Sequence, residues 1–210
     1  MTTITIEPPE PTYEDWYGQE VQVTLNATDN ESGVNTTYYQ VNDYGWQTYT
    51  ETLFISLNGI VLVQFYSVDN AGNEETPKQR EIKIDSRPPT TVYFFDPPIP
   101  NGLNGWYAGE VWLILNATDN ESGVWRTYWN HQMIYTEPIR LTESMHTIKF
   151  FSIDNVDNRE MEKTNPAVKI DMTKPTMFMR YNVTESHPLQ DRYELTFTVV
   201  ASDATSGLYR

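Results

Sequence analysis

The chain states one passage twice and begins it a third time, at a spacing that suits a string of small domains. Trp16 to Val34 reads WYGQEVQVTLNATDNESGV, and Trp106 to Val124 reads WYAGEVWLILNATDNESGV, an offset of 90 residues. Farther on the offset shrinks to 85, where VQFYSVDNAGNEE from Val63 returns as IKFFSIDNVDNRE from Ile148. The missing residues belong to loops or hairpins between the two matches. KIDSRPPTT from Lys83 reappears as KIDMTKPTM from Lys169, and ASDATSGL from Ala201 reopens the NATDNESGV theme. A period near 86 is too long for a solenoid unit and about right for a small domain. The expected organisation is two complete repeats, residues 1–86 and 87–172, and a partial third, 173–210. Met1-Thr2-Thr3 aligns with Pro89-Thr90-Thr91, so the chain starts on the repeat grid and is expected to be a segment of a longer protein.

Within each repeat the hydrophobic period is that of strands. Val21, Val23, Leu25 and Ala27 alternate with Gln22, Thr24, Asn26 and Thr28, as in a strand with one buried face, and Val111, Leu113, Leu115 and Ala117 repeat the pattern. Thr37, Tyr39 and Val41 predict a further strand, and Ile60 to Val68 a longer one, apolar enough to be buried on both sides. Turn residues such as Asn58-Gly59 and Asp69-Asn70-Ala71-Gly72-Asn73 punctuate these runs, and no stretch has a sustained helical period. About seven short strands per repeat is the rhythm of an immunoglobulin-like sandwich. The fold class is therefore all-β: tandem immunoglobulin-like β-sandwiches, two complete and one partial. With no cysteine, aromatic and β-branched packing must join the sheets instead of a disulfide.

Charge narrows the partners. Fourteen basic residues stand against 29 acidic ones, a net charge of −15, which repels nucleic acid and anionic lipid. No apolar run approaches the roughly 20 residues that span a bilayer, so no membrane insertion is expected of this segment.

The succession of the NATDNESGV turn, the YYQVND strand with its following YGWQTY, and FYSVDNAGNEE followed by KIDSRPPT resembles the immunoglobulin-like repeats strung along large secreted surface proteins of bacteria and archaea. The resemblance covers nearly all of residues 1–172 and the opening strands of the third copy. It implies a non-enzymatic extracellular or cell-surface part: a spacer, a stalk, or a subunit of a surface or filamentous assembly, whose partners are other repeats of the same or neighbouring chains. The alternative is an accessory, carbohydrate-binding module of a secreted enzyme or adhesin. Locally the second copy departs from the first, with Val156-Asp157 in place of Ala71-Gly72 and His131-Gln132 in place of Val41-Asn42.

Specific chemistry concentrates in the acidic turns. In this topology the loops after the second and sixth strands share a pole, so Asp119 and Asn120 should approach Asp154 and Asp157, while the last strand of the preceding repeat delivers Asp85. Convergent carboxylate and amide oxygens suit Ca²⁺, which takes six to eight oxygens at about 2.3–2.6 Å. The same residue types also form Asx turns with no ion at all, so structural turns and a calcium site both stand. Asn26, Asn30, Asn35, Asn116, Asn120 and Asn182 each begin an N-x-[ST] triplet, the acceptor pattern for glycosylation. Trp112 replaces Gln22 on the polar side of its strand, and Trp125 replaces Asn35. Such exposed aromatics stack on sugar rings, which would make polysaccharide a partner, or pack on a neighbouring domain. His131, His146 and His187 occupy unrelated places in the repeat and complete no nucleophile or zinc motif, so no enzymatic role is expected.

Overall fold

The computed structural model describes residues 1–130, 132–187 and 192–207, so His131 lies outside the described residues. The first repeat contributes β1 (Thr2–Glu7), β2 (Trp16–Tyr17), β3 (Val21–Ala27), β4 (Val34–Val41), β5 (Gln47–Thr48), β6 (Leu53–Ile55), β7 (Gly59–Asp69) and β8 (Lys78–Ile84). They form a three-stranded sheet in the order β1-β3-β6 and a five-stranded sheet in the order β2-β8-β7-β4-β5. The alternation read from the sequence sets this arrangement: Val21, Val23 and Leu25 are buried while Gln22, Thr24 and Asn26 face water. Their neighbours fall in register, Leu25 opposite Ile4 and Val21 opposite Ile55. Val61, Val63 and Phe65 of β7, with Ile82 and Ile84 of β8 and Tyr17, complete one core with the inner face of the three-stranded sheet. Each of these large side chains contributes roughly 1.5–3 kcal/mol by leaving water, which is how the sandwich closes without a disulfide.

The expected two-sided burial of β7 is corrected by its alternating pattern, for Ile60 is 60% exposed. As in other antiparallel sandwiches, one face of the sheet packs inward and the other meets solvent.

The second repeat contributes β9 (Thr90–Asp96), β10 (Trp106–Tyr107), β11 (Val111–Thr118), β12 (Val124–Trp129), β13 (Met133–Ile134), β14 (Ile139–Leu141), β15 (Ser144–His146), β16 (Lys149–Asp154), β17 (Lys163–Thr164) and β18 (Val168–Ile170). Its sheets run β14-β11-β9, β13-β12-β16-β17 and β10-β18-β15. Val111, Leu113, Leu115, Tyr107 and Ile170 are buried as their first-copy counterparts are. Where the first copy has one long strand, the second has β15 and β16, and the counterpart of β8 is broken into β17 and β18. The cause lies in the segment Asn165-Pro166. It carries one residue more than the first copy between the matching Lys78/Lys163 and Ile84/Ile170, and proline has no N–H for the ladder. Asn165 repairs the gap, its side-chain oxygen accepting the Ile148 amide at 2.5 Å and its own amide donating to Ile148 at 3.1 Å.

β19 (Thr176–His187) and β20 (Arg192–Ser202) form an antiparallel hairpin, a sheet of two strands. Leu195, Phe197 and Val199, which align with the buried Val21, Val23 and Leu25, are 54%, 59% and 57% exposed here. The chain divides into two units: one of residues 1–92, 116–135 and 149–163, the other of 93–115, 136–148 and 164–210. Among the described residues the structure is otherwise turns and one short 3-10 segment, Leu103–Gly105, and no helix is long and apolar enough to cross a membrane.

Candidate functional site

The acidic pole of the second repeat is built from two turns and a linker, all within the first unit. In the first turn, Asp119 leaves β11 and its Oδ1 accepts the amides of Glu121 at 3.1 Å and Gly123 at 2.8 Å. Gly123 sits at φ +85°, a left-handed conformation open to glycine, which lets the chain double back onto the carboxylate. In the second turn, Asp154 ends β16 and accepts the amides of Val156 at 3.0 Å and Asn158 at 2.8 Å on Oδ1, and the Asn158 side-chain amide at 2.8 Å on Oδ2. Asn155 ties the turns together, its side-chain amide donating to the carbonyls of Ser122 at 2.8 Å and Gly123 at 3.1 Å.

Into this pole the linker after β8 brings Asp85. Its amide donates to Tyr17 O at 2.9 Å, its Oδ1 accepts the Arg87 amide at 3.1 Å, and its Oδ2 accepts the Ser122 amide at 3.1 Å. The carbonyl of Asp85 also accepts the Asn158 side-chain amide at 3.0 Å. Residues 85–89 separate β8 from β9, and this connection is hydrogen-bonded rather than free.

The result is a cluster of three carboxylates. Ligand-capable oxygens of Asp85, Asp119 and Asp154 all lie within 4.8 Å of one another, and Asp85 and Asp154 are wholly buried. Among the described residues no Lys, Arg or His pairs with any of the three. Burial pushes the Asp154 carboxyl up from its ordinary value, against the hydrogen bonds of Asn158, and the charge of Asp85 adds to the rise. Asp69, which makes the same turn in the first repeat with the same Asn73 and Ala71 hydrogen bonds, is instead held below the ordinary range, its Asn73 side-chain bond the largest cause. The turn is the same; the burial and the neighbouring charge differ.

Two of the residues read as ligands are exposed and are not among the three converging carboxylates. Asp157 occupies the position of Gly72, is forced to φ +71° by the turn, and points to solvent, so it is not one of the converging acids. Asn120 is likewise exposed. Two residues the sequence reading did not single out take part instead: Asn158, through its side-chain amide, and Ser122, whose Oγ is buried without a hydrogen-bond partner. Ser122 hides in the motif as an ordinary turn serine.

The junction recurs in the second unit. Asp171, after β18, anchors its amide on Tyr107 O at 2.9 Å, accepts the Thr173 amide at 3.0 Å on Oδ1, and accepts the Ser206 amide at 2.9 Å on Oδ2. Hydrogen bonding from Ser206 holds the Asp171 carboxyl below its ordinary range. Glu143 accepts the hydroxyls of Thr173 at 2.6 Å and Thr205 at 3.0 Å beside it.

A second polar feature also escaped the sequence reading. Thr2 Oγ1 lies 2.6 Å from Ser67 Oγ, which lies 2.8 Å from Thr37 Oγ1, and Glu75 accepts the Thr2 amide at 2.7 Å and the Ser67 amide at 3.1 Å. Lys78 closes the group, donating to Thr2 O and to Glu75. Thr91, Ser152, Thr127, Glu160 and Lys163 rebuild it in the second copy. This fixes Thr2 as the partner of Thr91, so the alignment of Met1-Thr2-Thr3 with Pro89-Thr90-Thr91 slips by one residue. Two adjacent threonines disguise the slip in the sequence.

The remaining candidates are dispersed. Asn26, Asn30, Asn35, Asn116, Asn120 and Asn182 are all exposed. Trp112 lies on β11 and Trp125 on β12, in different sheets, so no single sheet face carries both; the Arg126 guanidinium covers the Trp125 ring at 4.3 Å. Trp16 and Trp106 are half-buried on the short strands β2 and β10, which pair in parallel with β8 and β18.

No protein-family model matches the chain, and no curated protein sequence matches it. Among solved structures, the chain is similar to fibronectin(III)-like modules of CbhA from Clostridium thermocellum, with a TM-score of 0.33 and 13% identity, over 80% of this chain and 95% of that one. The sheet order and the shared core define the sandwich.

Proposed function

We propose that the chain is a non-enzymatic structural segment of an extracellular protein, a spacer or stalk or a subunit of a surface or filamentous assembly, in which repeats 1–86, 87–172 and 173–210 are joined by docked linkers. The observation that carries this reading is the junction built twice: the aspartate after the last strand accepts a serine amide of the next repeat's first turn, Asp85 from Ser122 and Asp171 from Ser206. A free tether would need neither bond. Prolines in both linkers, Pro88-Pro89 and Pro175, restrict them further. Six exposed N-x-[ST] triplets and the acidic surface support an extracellular setting.

Mechanical unfolding of the full chain tests the reading. Two sawtooth events are expected, each releasing roughly 30 nm for a repeat of this length at about 3.6 Å per residue. Extension without resistance would refute a structural role. Retention of polysaccharide, lost on Trp112→Ala, would favour the carbohydrate-binding alternative.

A further inference from the structure

We propose that Asp85, Asp119 and Asp154, together with the hydroxyl of Ser122, bind one calcium ion that clamps the linker to the second repeat. The assignment rests on the docked linker of the proposed function, since Asp85 reaches the pole only through it. Two independent observations point to the ion.

The first is the geometry and charge of the acids. Oxygens on one calcium at about 2.3–2.6 Å stand up to about 5 Å apart, and the three carboxylates converge within 4.8 Å. Two of them are wholly buried, where uncompensated negative charge is costly. Their existing hydrogen bonds leave acceptor capacity free: both bonds to Asp119 fall on Oδ1, leaving its Oδ2 available.

The second is the orphaned hydroxyl. The same serine occurs in all three copies of the turn, and only its surroundings change. Ser32, at the exposed pole of the first repeat, has its Oγ 3.4 Å from Asp29 as donor, and Ser206 Oγ donates to Gly207 O at 3.5 Å. Ser122 Oγ makes neither bond, although the residue is only 8% exposed and its amide is bonded to Asp85. A buried hydroxyl without a partner is expensive, and an oxygen-seeking cation held by the adjacent carboxylates supplies one. Every donor is a hard oxygen from the protein, which suits calcium better than magnesium, since magnesium gives up its waters reluctantly.

The test is calorimetric titration of the chelator-treated full chain with calcium chloride, beside thermal melting in the same solutions. One site per chain and a rise in melting temperature with calcium are expected. Asp119→Asn should weaken binding by about tenfold or more. Ser122→Ala should weaken it too, yet leave metal-free melting unchanged or raised, because it deletes an unpaired hydroxyl. That second variant keeps the result readable if Asp119→Asn fails to fold. No heat and no shift in melting at millimolar calcium would overturn the proposal, as would binding indifferent to both variants; equal affinity for magnesium chloride would overturn the choice of ion. Protection of the Ser122 amide in chelator, followed by hydrogen exchange, separates the two readings: a protected amide without calcium binding leaves the docked linker standing and removes only the ion.

Discussion

Glu75 shows how one side chain couples the first strand to the core and to pH. Burial alone would raise its carboxyl, but the hydroxyl and amide of Thr2 and the ammonium of Lys78 outweigh that and hold it at about 2. An acid with a folded value below its ordinary one stabilises the fold fully above its unfolded value, about 4.5, and loses that contribution as pH falls through about 2. The contribution at neutral pH is on the order of 3 kcal/mol. Urea midpoints should therefore fall between pH 5 and pH 2.5, and Glu75→Gln should flatten that dependence while lowering stability at pH 7. An unchanged acid limb in the variant would remove Glu75 from the account. In the second copy the same logic predicts that Ser152→Ala, which strands Thr91 and Thr127 hydroxyls in the interior, costs about 1–3 kcal/mol in urea unfolding. These polar groups were poorly legible in the sequence. Ser67 and Ser152 recur in the matched passages, but a serine on the inward face of an apolar strand reads as a small filler until its partners from β1 and β9 are known.

At the scale of elements, most of the fold was legible because burial on one face leaves a period of two. The strands β3 and β11 followed directly from Val21-Val23-Leu25 and Val111-Leu113-Leu115. The two-residue strands β2 and β10 carry too few residues to show any period, and they are held by pairing with distant strands. The break between β17 and β18 was visible only as Asn165-Pro166, and its effect on the ladder depends on the strand opposite. The hairpin of β19 and β20 carries the same pattern as β1 and β3, yet its apolar face is exposed, so equal sequence patterns should have unequal energetic weight. Phe65→Ala, in the closed core, is expected to cost about 3–5 kcal/mol. Phe197→Ala, more than half exposed, should stay within about 0.5 kcal/mol. Comparable losses at both positions in denaturant titrations would mean that the hairpin face is covered in solution.

Across the whole molecule, the repeats were legible as repeats, and the junction between them was only partly so. The sequence brought Asp85, Asp119 and Asp154 to one pole by topology alone, because a sandwich fixes which loops share an end. It overreached at Asp157, where the side chain is exposed, and it passed over Ser122, whose role depends on its burial at the junction. The linker is docked, with the Asp85 carboxylate holding the Ser122 amide. Hydrogen exchange of the full chain, comparing wild type with Asp85→Ala, tests it most directly. The Ser122 amide should be protected in the wild type and exchange at least about tenfold faster in the variant, with Ser206, bonded to Asp171, unchanged. A Ser122 amide that already exchanges in the wild type at the rate of an open turn, or that keeps its protection in Asp85→Ala, would contradict it.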